Sequence, residues 1–243
     1  LARPQSLPEQ EWRQLQAATA ALGGVFARTA AVVQAGPPEL LTELGLPPAV
    51  QAAVRLPFFP SAATVIGRFD FARAPAGWKM LEFNSDTPGG IVEGFHVNAR
   101  VCAVHRAADP NAGREAALAA AFRRAVERYR AMGYRTERIV FSALGWHAED
   151  AGTARYLARV TGLGAPFVPL ADLRVFADSL CVPAGQGLEP IDVWYRLHPL
   201  GLLAEDRDQD GFPTGAAVLD LIARGRLATI NPPGALIAQS KGL

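Results

Sequence analysis

The runs Gly67-Arg68-Phe69-Asp70-Phe71 and Lys79-Met80-Leu81-Glu82-Phe83-Asn84-Ser85-Asp86-Thr87-Pro88-Gly89-Gly90 decide the reading of this chain. Polar and apolar residues alternate along each, the period-two pattern of a half-buried strand. Between them, Ala74-Pro75-Ala76-Gly77 has turn composition: proline presets φ and glycine tolerates positive φ. Paired as a hairpin, the runs place Arg68 and Asp70 on one face of the first strand. Glu82 and Asn84 share one face of the second. Phe69, Phe71, Leu81 and Phe83 then form an apolar back turned to the core.

Two carboxylates and a carboxamide on one face make an oxygen-rich donor set. Such a set suits magnesium, a hard cation that takes few protein oxygens and keeps water and phosphate as its other ligands. Arg68 beside them adds a planar fork that can hold a phosphate or carboxylate and stabilise charge developing in acyl or phosphoryl transfer. The same residues also fit a cross-strand ion-pair ladder on a solvated sheet face, contributing roughly 0.2–1 kcal/mol per pair and no chemistry. The pattern alone leaves both readings open.

GRFDF (67–71) and KMLEFNSDTPGGIVEG (79–94) resemble the signature of the glutathionylspermidine synthase family, amide ligases of the ATP-grasp superfamily. There an arginine-x-aspartate strand precedes a glutamate-x-asparagine strand and an aspartate-threonine/serine-proline segment. HAEDAGTARYLARVTGLGAPFVPLADL (147–173) is similar to the family's acidic helix start and following strand, and IDVWYRLHPL (191–200) to a later strand. The resemblance runs from about Ala63 to the end of the chain, with roughly the first 60 residues contributing little.

The resemblance implies a pre-ATP-grasp, Rossmann-like α/β fold: a parallel or mixed sheet flanked by helices, with the hairpin carrying the site. It implies an ATP-dependent ligase that joins a carboxylate, for instance of a peptide such as glutathione, to an amine through an acyl phosphate. Asp70, Glu82 and Asn84 would bind Mg2+, and Arg68 would steady the acyl phosphate and the tetrahedral species formed on amine attack. Asp86 and Thr87 would sit beside the acid substrate. Glu149 and Asp150 would attract a cationic amine, a charge match for a polyamine. A helix dipole favours acidic residues in the first turn in any case, which is a second account of that pair.

In the family a serine-asparagine-lysine stretch opens the nucleotide-binding lobe. Gln239-Ser240-Lys241 corresponds to it, so Lys241 would meet ATP. Most of that lobe has no counterpart here; the gene product is expected to continue past Leu243, and this chain alone is expected to be inactive. The alternative is a non-catalytic module that kept the pocket and recognises a peptide or polyamine.

Composition narrows the classes further. The balance of 24 basic against 23 acidic residues lacks the electrostatic footprint of a nucleic-acid binder. Apolar stretches such as Ala17 to Leu22 read as too short and interrupted for a membrane span, and the N-terminus lacks the order of a signal peptide. Cys102 and Cys181 are far apart and outside any metal-type pair, as for free thiols in a reducing, cytoplasmic setting. His96, His105, His147 and His198 show no metal-ligand spacing. Of these, His96 follows the signature closely enough to reach the site, or else is a hydrogen-bonded structural residue. The resemblance implies small-molecule acid and amine partners, and nothing in the sequence specifies an oligomeric state.

Three segments emerge: a helical stretch over 1–62, the hairpin and a long helix over 63–136, and a βαβ part over 137–243. Ser6-Leu7-Pro8-Glu9 reads as a capping box, opening a helix with Trp12, Leu15, Ala18 and Leu22 on one stripe that Gly23-Gly24 weakens or ends. Short helices are expected around Glu39–Leu44 and Ala49–Leu56, a loop feeding a helix over Ile91–Arg106, and a long amphipathic helix from Asn111 to about Met132. Strands at Arg138–Leu144 and near Pro166–Leu170 flank a helix at Asp150–Val160. Right-handed crossover makes such strands parallel, and sites in parallel sheets open at the carboxyl ends of the strands. That places Glu149 and Asp150 near a crevice. Leu180–Val182 and Ile191–Leu197 read as further strands joined by a loop over Pro183–Pro190, and Thr214–Arg224 as a helix. Arg196 is expected to pair with Asp192, Glu205 or Asp206, and the acidic stretch 205–211 to be a solvated loop, since it lacks calcium-loop spacing.

Overall fold

The computed structural model describes residues 5–57, 62–208 and 210–243; Gln209 of the acidic loop lies outside them. The chain opens with α1 (Glu9–Ala35), α2 (Pro38–Glu43) and α3 (Pro48–Val54), followed by the hairpin β1 (Arg68–Ala74) and β2 (Gly77–Asn84). A π-helical turn over Glu93–Val97 leads into α4 (Asn98–His105) and then α5 (Glu115–Ala131). Next come β3 (Ile139–Ala143), α6 (Ala148–Val160) and a meander of β4 (Arg174–Phe176), β5 (Ser179–Ala184) and β6 (Gly187–Pro190). The chain then runs through β7 (Val193–Leu197), α7 (Leu200–Leu203), α8 (Thr214–Ala223), β8 (Ala228–Ile230) and α9 (Ala235–Gln239).

The α/β class holds: β3, β7 and β8 form a parallel sheet in the order β3-β7-β8, and the hairpin and the meander are separate antiparallel sheets. Every residue of these parallel strands is buried, because helices cover both faces of the sheet. Phe141, Tyr195 and Ile230 pack on α5 and α6 through Phe122, Val126 and Leu157. Val140 and Trp194 face the opposite way, into a core with Val54 of α3 and Val218 and Ile222 of α8.

The strand expected near Pro166–Leu170 shrinks to one parallel bridge between Phe141 and Phe167. The Phe141 amide donates to Pro166 O at 2.9 Å and the Val168 amide to Phe141 O at 2.8 Å. Pro166 and Pro169 have no N–H with which to extend the ladder. The loop expected over Pro183–Pro190 is instead the β5–β6 hairpin, with Pro183 opposite Leu188.

The first helix also differs. It begins after Pro8, which makes no side-chain cap, so the Ser6 capping box does not form, and it continues through Gly23-Gly24 to Ala35. Each glycine costs about 1 kcal/mol against alanine in a helix interior. Burial of Ala27, Ala30 and Val33 and the packing of Phe26 on the hairpin offset that cost. By length and composition alone α1 would suffice to cross a membrane, contrary to the sequence expectation, although the same test is met by helices of other kinds.

On the hairpin, Phe69 and Phe83 stack at 4.0 Å between ring centroids, and Phe26 of α1 closes on them at 5.8 and 5.0 Å. Leu81 does not join this apolar back. The register shifts between Asp70 and Phe71, pairing Phe71 with Met80, so Leu81 is the extra residue of a bulge and is 65% exposed.

Candidate active site on the hairpin

Pairing in β1–β2 sets Arg68 opposite Asn84 and Asp70 opposite Glu82, so the four polar side chains share one face. Arg68 grips Asp70 through two bonds, Nε to Oδ1 at 2.7 Å and Nη2 to Oδ2 at 2.9 Å. Asn84 Nδ2 donates to Glu82 Oε1 at 2.9 Å and to Asp70 Oδ2 at 3.3 Å. From the far end of the sequence, Lys241 Nζ donates to Glu82 Oε2. Hydrogen-bond donors and acceptors thus alternate from Arg68 through Asp70, Asn84 and Glu82 to Lys241. Arg68 Nη1 also donates to Gly89 O at 3.1 Å, tying the cluster to the following loop. There Gly90 takes φ +81°, and Arg68 Cδ lies 3.6 Å from where a Cβ would stand. A side chain at Gly90 would be strained by that backbone, although its Cβ would meet the arginine only at ordinary contact distance.

The electrostatics follow these contacts. The hydrogen bonds from Arg68 hold the Asp70 carboxyl below the usual aspartate value, with Lys241 adding to the effect, and Asp70 in turn raises the Arg68 guanidinium. Hydrogen bonds from Lys241 and then Asn84 depress the Glu82 carboxyl. Both carboxylates are therefore charged throughout the neutral range.

Hard oxygens from Asp70, Glu82 and Asn84 have the donor chemistry that magnesium takes. Asn84 turns Nδ2 to the carboxylates, which leaves its Oδ1 for an incoming group. Two carboxylates meet here, and no group of three or more His, Cys, Asp or Glu side chains gathers among the described residues. Arg68 and Lys241 already bind the carboxylate oxygens a divalent cation would share, so such an ion would have to displace the lysine from Glu82.

The other site candidates are placed differently. Asp86 is in the interior, 1% exposed, with its carboxylate accepting from Arg196 Nη2 and from the Leu200 amide at 2.8 Å. It is the buried counter-ion of Arg196 rather than a cleft-facing group. Arg196 accordingly does not pair with Asp192, Glu205 or Asp206: Asp192 accepts from the Arg138 amide, Glu205 is exposed, and Asp206 pairs with His198. Thr87 is half-buried beside Asp86. Glu149 and Asp150 stand in the first turn of α6, just beyond the carboxyl end of β3, where the Asp150 amide donates to His147 Nδ1 at 3.3 Å. No hydrogen bond or ion pair joins them to the hairpin cluster among the described residues. His96 lies in the π-helical turn, its ring 6.4 Å from that of Tyr156 on α6.

What fixes the hairpin on the sheet is a set of residues that the sequence pattern did not single out. Asn231, just past β8, donates through Nδ2 to the carbonyls of Ile66, Ser85 and Asp86 at 2.8, 2.8 and 3.0 Å. Its Oδ1 accepts from the amides of Val65 and Ile66. Gln239 of α9 accepts from the amides of Ser85 and Asp86, and Ser85 Oγ donates to Ala235 O at 2.7 Å. Together with Arg196 on β7, these bonds moor the hairpin base at the carboxyl ends of β7 and β8, where open α/β sheets carry their sites.

An α/β core with a charged hairpin moored at the carboxyl ends of its parallel strands is the build of a pre-ATP-grasp domain. The sequence model of the family described as "Glutathionylspermidine synthase preATP-grasp" matches residues 5–243, including the N-terminal stretch where motif resemblance is thin. The chain belongs to that family, which gives it a ligase-related role. No curated protein matches it.

Proposed function

We propose that this chain carries the acid-substrate side of an ATP-dependent carboxylate–amine ligase, active in the complete protein. The observation that carries the reading is the convergence of Arg68, Asp70, Glu82, Asn84 and Lys241 on one moored hairpin face. In the reaction a carboxylate oxygen of the acid attacks the γ-phosphorus of ATP and ADP leaves. The amine nitrogen then attacks the acyl carbon, forming the C–N bond and releasing phosphate and a proton.

Asp70, Glu82 and Asn84 are the residues that would hold Mg2+, which supplies charge neutralisation for the crowded phosphate oxygens. Arg68, fixed in orientation by Asp70, is aimed to bind the acyl phosphate and the oxyanion of the tetrahedral species. Lys241 would exchange Glu82 for a nucleotide phosphate. Thr87 and the backbone around Asp86 would border the acid, with Asp86 holding that segment in place through Arg196. Glu149 and Asp150 would draw a cationic amine to the carboxyl end of β3. A peptide acid such as glutathione and a polyamine such as spermidine fit these charges.

The test is ADP release by the complete protein across a panel of acids and amines, with amide product identified by mass. Amide formation that requires one acid and one amine supports the proposal. Saturable binding of peptide or polyamine with no ADP release would favour the non-catalytic binding module instead.

A further inference from the structure

The charges of the hairpin site balance before any ligand arrives. Arg68 and Lys241 stand against Asp70 and Glu82, each cation bonded to one carboxylate. A divalent cation coming alone meets carboxylates that are already neutralised, and a phosphate coming alone meets cations that are already neutralised. Arriving together, the two can be met by an exchange of partners: Asp70 and Glu82 turn to the metal, Arg68 and Lys241 to the phosphate. No charge is left unpaired by that exchange.

The two cations differ in their freedom to move. Arg68 is bonded at three points, twice to Asp70 and once to Gly89 O, and its guanidinium has further N–H groups to offer an anion without leaving them. Lys241 makes a single side-chain bond among the described residues, to Glu82, and its side chain is 74% exposed. The backbone on either side of it is held. Before it, Gln239 Oε1 accepts from the Ser85 and Asp86 amides at 3.1 and 3.0 Å, and Ser240 Oγ donates to Leu44 O at 2.7 Å at the end of α2. After it, the Gly242 amide donates to the same Oγ at 3.2 Å. Lys241 is thus a flexible four-carbon arm on a fixed mount beside Glu82.

We propose that Lys241 is a latch that couples the two ligands of this site. Lying on Glu82 it competes with a divalent cation for Oε2, and a phosphate group that draws it away opens that oxygen to the metal. Metal and phosphate therefore bind cooperatively, each raising the affinity for the other by the same factor. An exposed ion pair shifts an equilibrium by up to about fivefold, which sets the share of the coupling that Lys241 supplies. The inference rests on the metal role proposed above for Asp70, Glu82 and Asn84, and adds the condition under which that site fills.

Mn2+ and methyl phosphate are the probes. The readout is the electron paramagnetic resonance signal of free Mn2+, titrated against the chain with and without methyl phosphate, with the complex of the two probes in buffer measured in parallel. Methyl phosphate should tighten Mn2+ binding to the parent, and by about fivefold more than in Lys241→Met, which should already bind Mn2+ tighter when no phosphate is present. Lys241→Arg keeps the charge and should keep the coupling. Glu82→Gln separates the two ways of failing. If it leaves Mn2+ binding unchanged, the metal is not on the hairpin, and the metal site and the latch fall together. If it weakens Mn2+ binding while methyl phosphate has an equal effect on the parent and Lys241→Met, the site stands and the latch alone is overturned.

Discussion

Replacing Asp86 by alanine would strand a guanidinium in the protein interior. The side chains of Asp86 and Arg196 are both 0% exposed. Arg196 donates through Nη2 to Asp86 and through Nη1 to His198 O at 2.7 Å, while its Nε already lacks a partner. Removing one member of a buried pair costs about 3–5 kcal/mol, because the other charge is left uncompensated. The Leu200 amide loses its acceptor in the same change. A domain of this size loses about 2–4 °C of Tm per kcal/mol, so Asp86→Ala should melt roughly 6–20 °C lower. Urea and thermal unfolding followed by circular dichroism measure this directly. The double variant Asp86→Leu/Arg196→Met should recover most of the loss, since a matched apolar pair leaves no stranded charge. A loss below about 1 kcal/mol for Asp86→Ala, the value of an exposed pair, would refute the claim that this contact is an interior anchor for the hairpin.

Other predictions follow from the same contacts. Asn231→Ala leaves several buried backbone groups without partners and should cost about 3 kcal/mol, with faster amide exchange at Val65 and Ile66, which donate to its Oδ1, as the local signature. Asp70 and Glu82 have folded values below their unfolded ones, so in acid the unfolded chain binds more protons. Their stabilisation is complete above about pH 5, clear of the unfolded aspartate and glutamate values, and drains away as the pH falls through the depressed folded ones. Tm measured from neutral to acid pH should decline less steeply in Asp70→Asn/Glu82→Gln than in the parent. For the metal alone, Mn2+ titrated by electron paramagnetic resonance should bind tighter to Lys241→Met, which frees Glu82 Oε2, and weaker to Glu82→Gln.

The hairpin was legible because its information is local. Period-two alternation fixes which side chains share a face, and Arg68, Asp70, Glu82 and Asn84 do share one. Leu81 departs from strict alternation because the bulge changes its phase there, and the consecutive apolar pair Met80-Leu81 is the local trace of it. Asp86 follows the polar strand so closely that it reads as part of the same site. Its partner Arg196 is far away in sequence, and nothing local announces the pairing. Asn231 and Gln239 had no motif to mark them; the one available signal was an amide directly after the short apolar run Ala228–Ile230 and before Pro232-Pro233. The failed strand at 166–170 was readable in retrospect, since two prolines in five residues deprive a ladder of donors. Helix α1 ran past Gly23-Gly24 because tertiary packing by Phe26 outweighs a local propensity of about 1 kcal/mol per glycine.

The role proposed for Arg68 on the moored hairpin face is to stabilise the transition state of amide formation. It is tested most directly by the rate of amide formation and ADP release in the complete protein, parent against Arg68→Ala, with the acid and amine saturating. Loss of an oxyanion-stabilising donor lowers kcat by about 10²–10³, and a fall of that order is expected with the fold intact. An unchanged kcat in a folded Arg68→Ala variant would contradict the account.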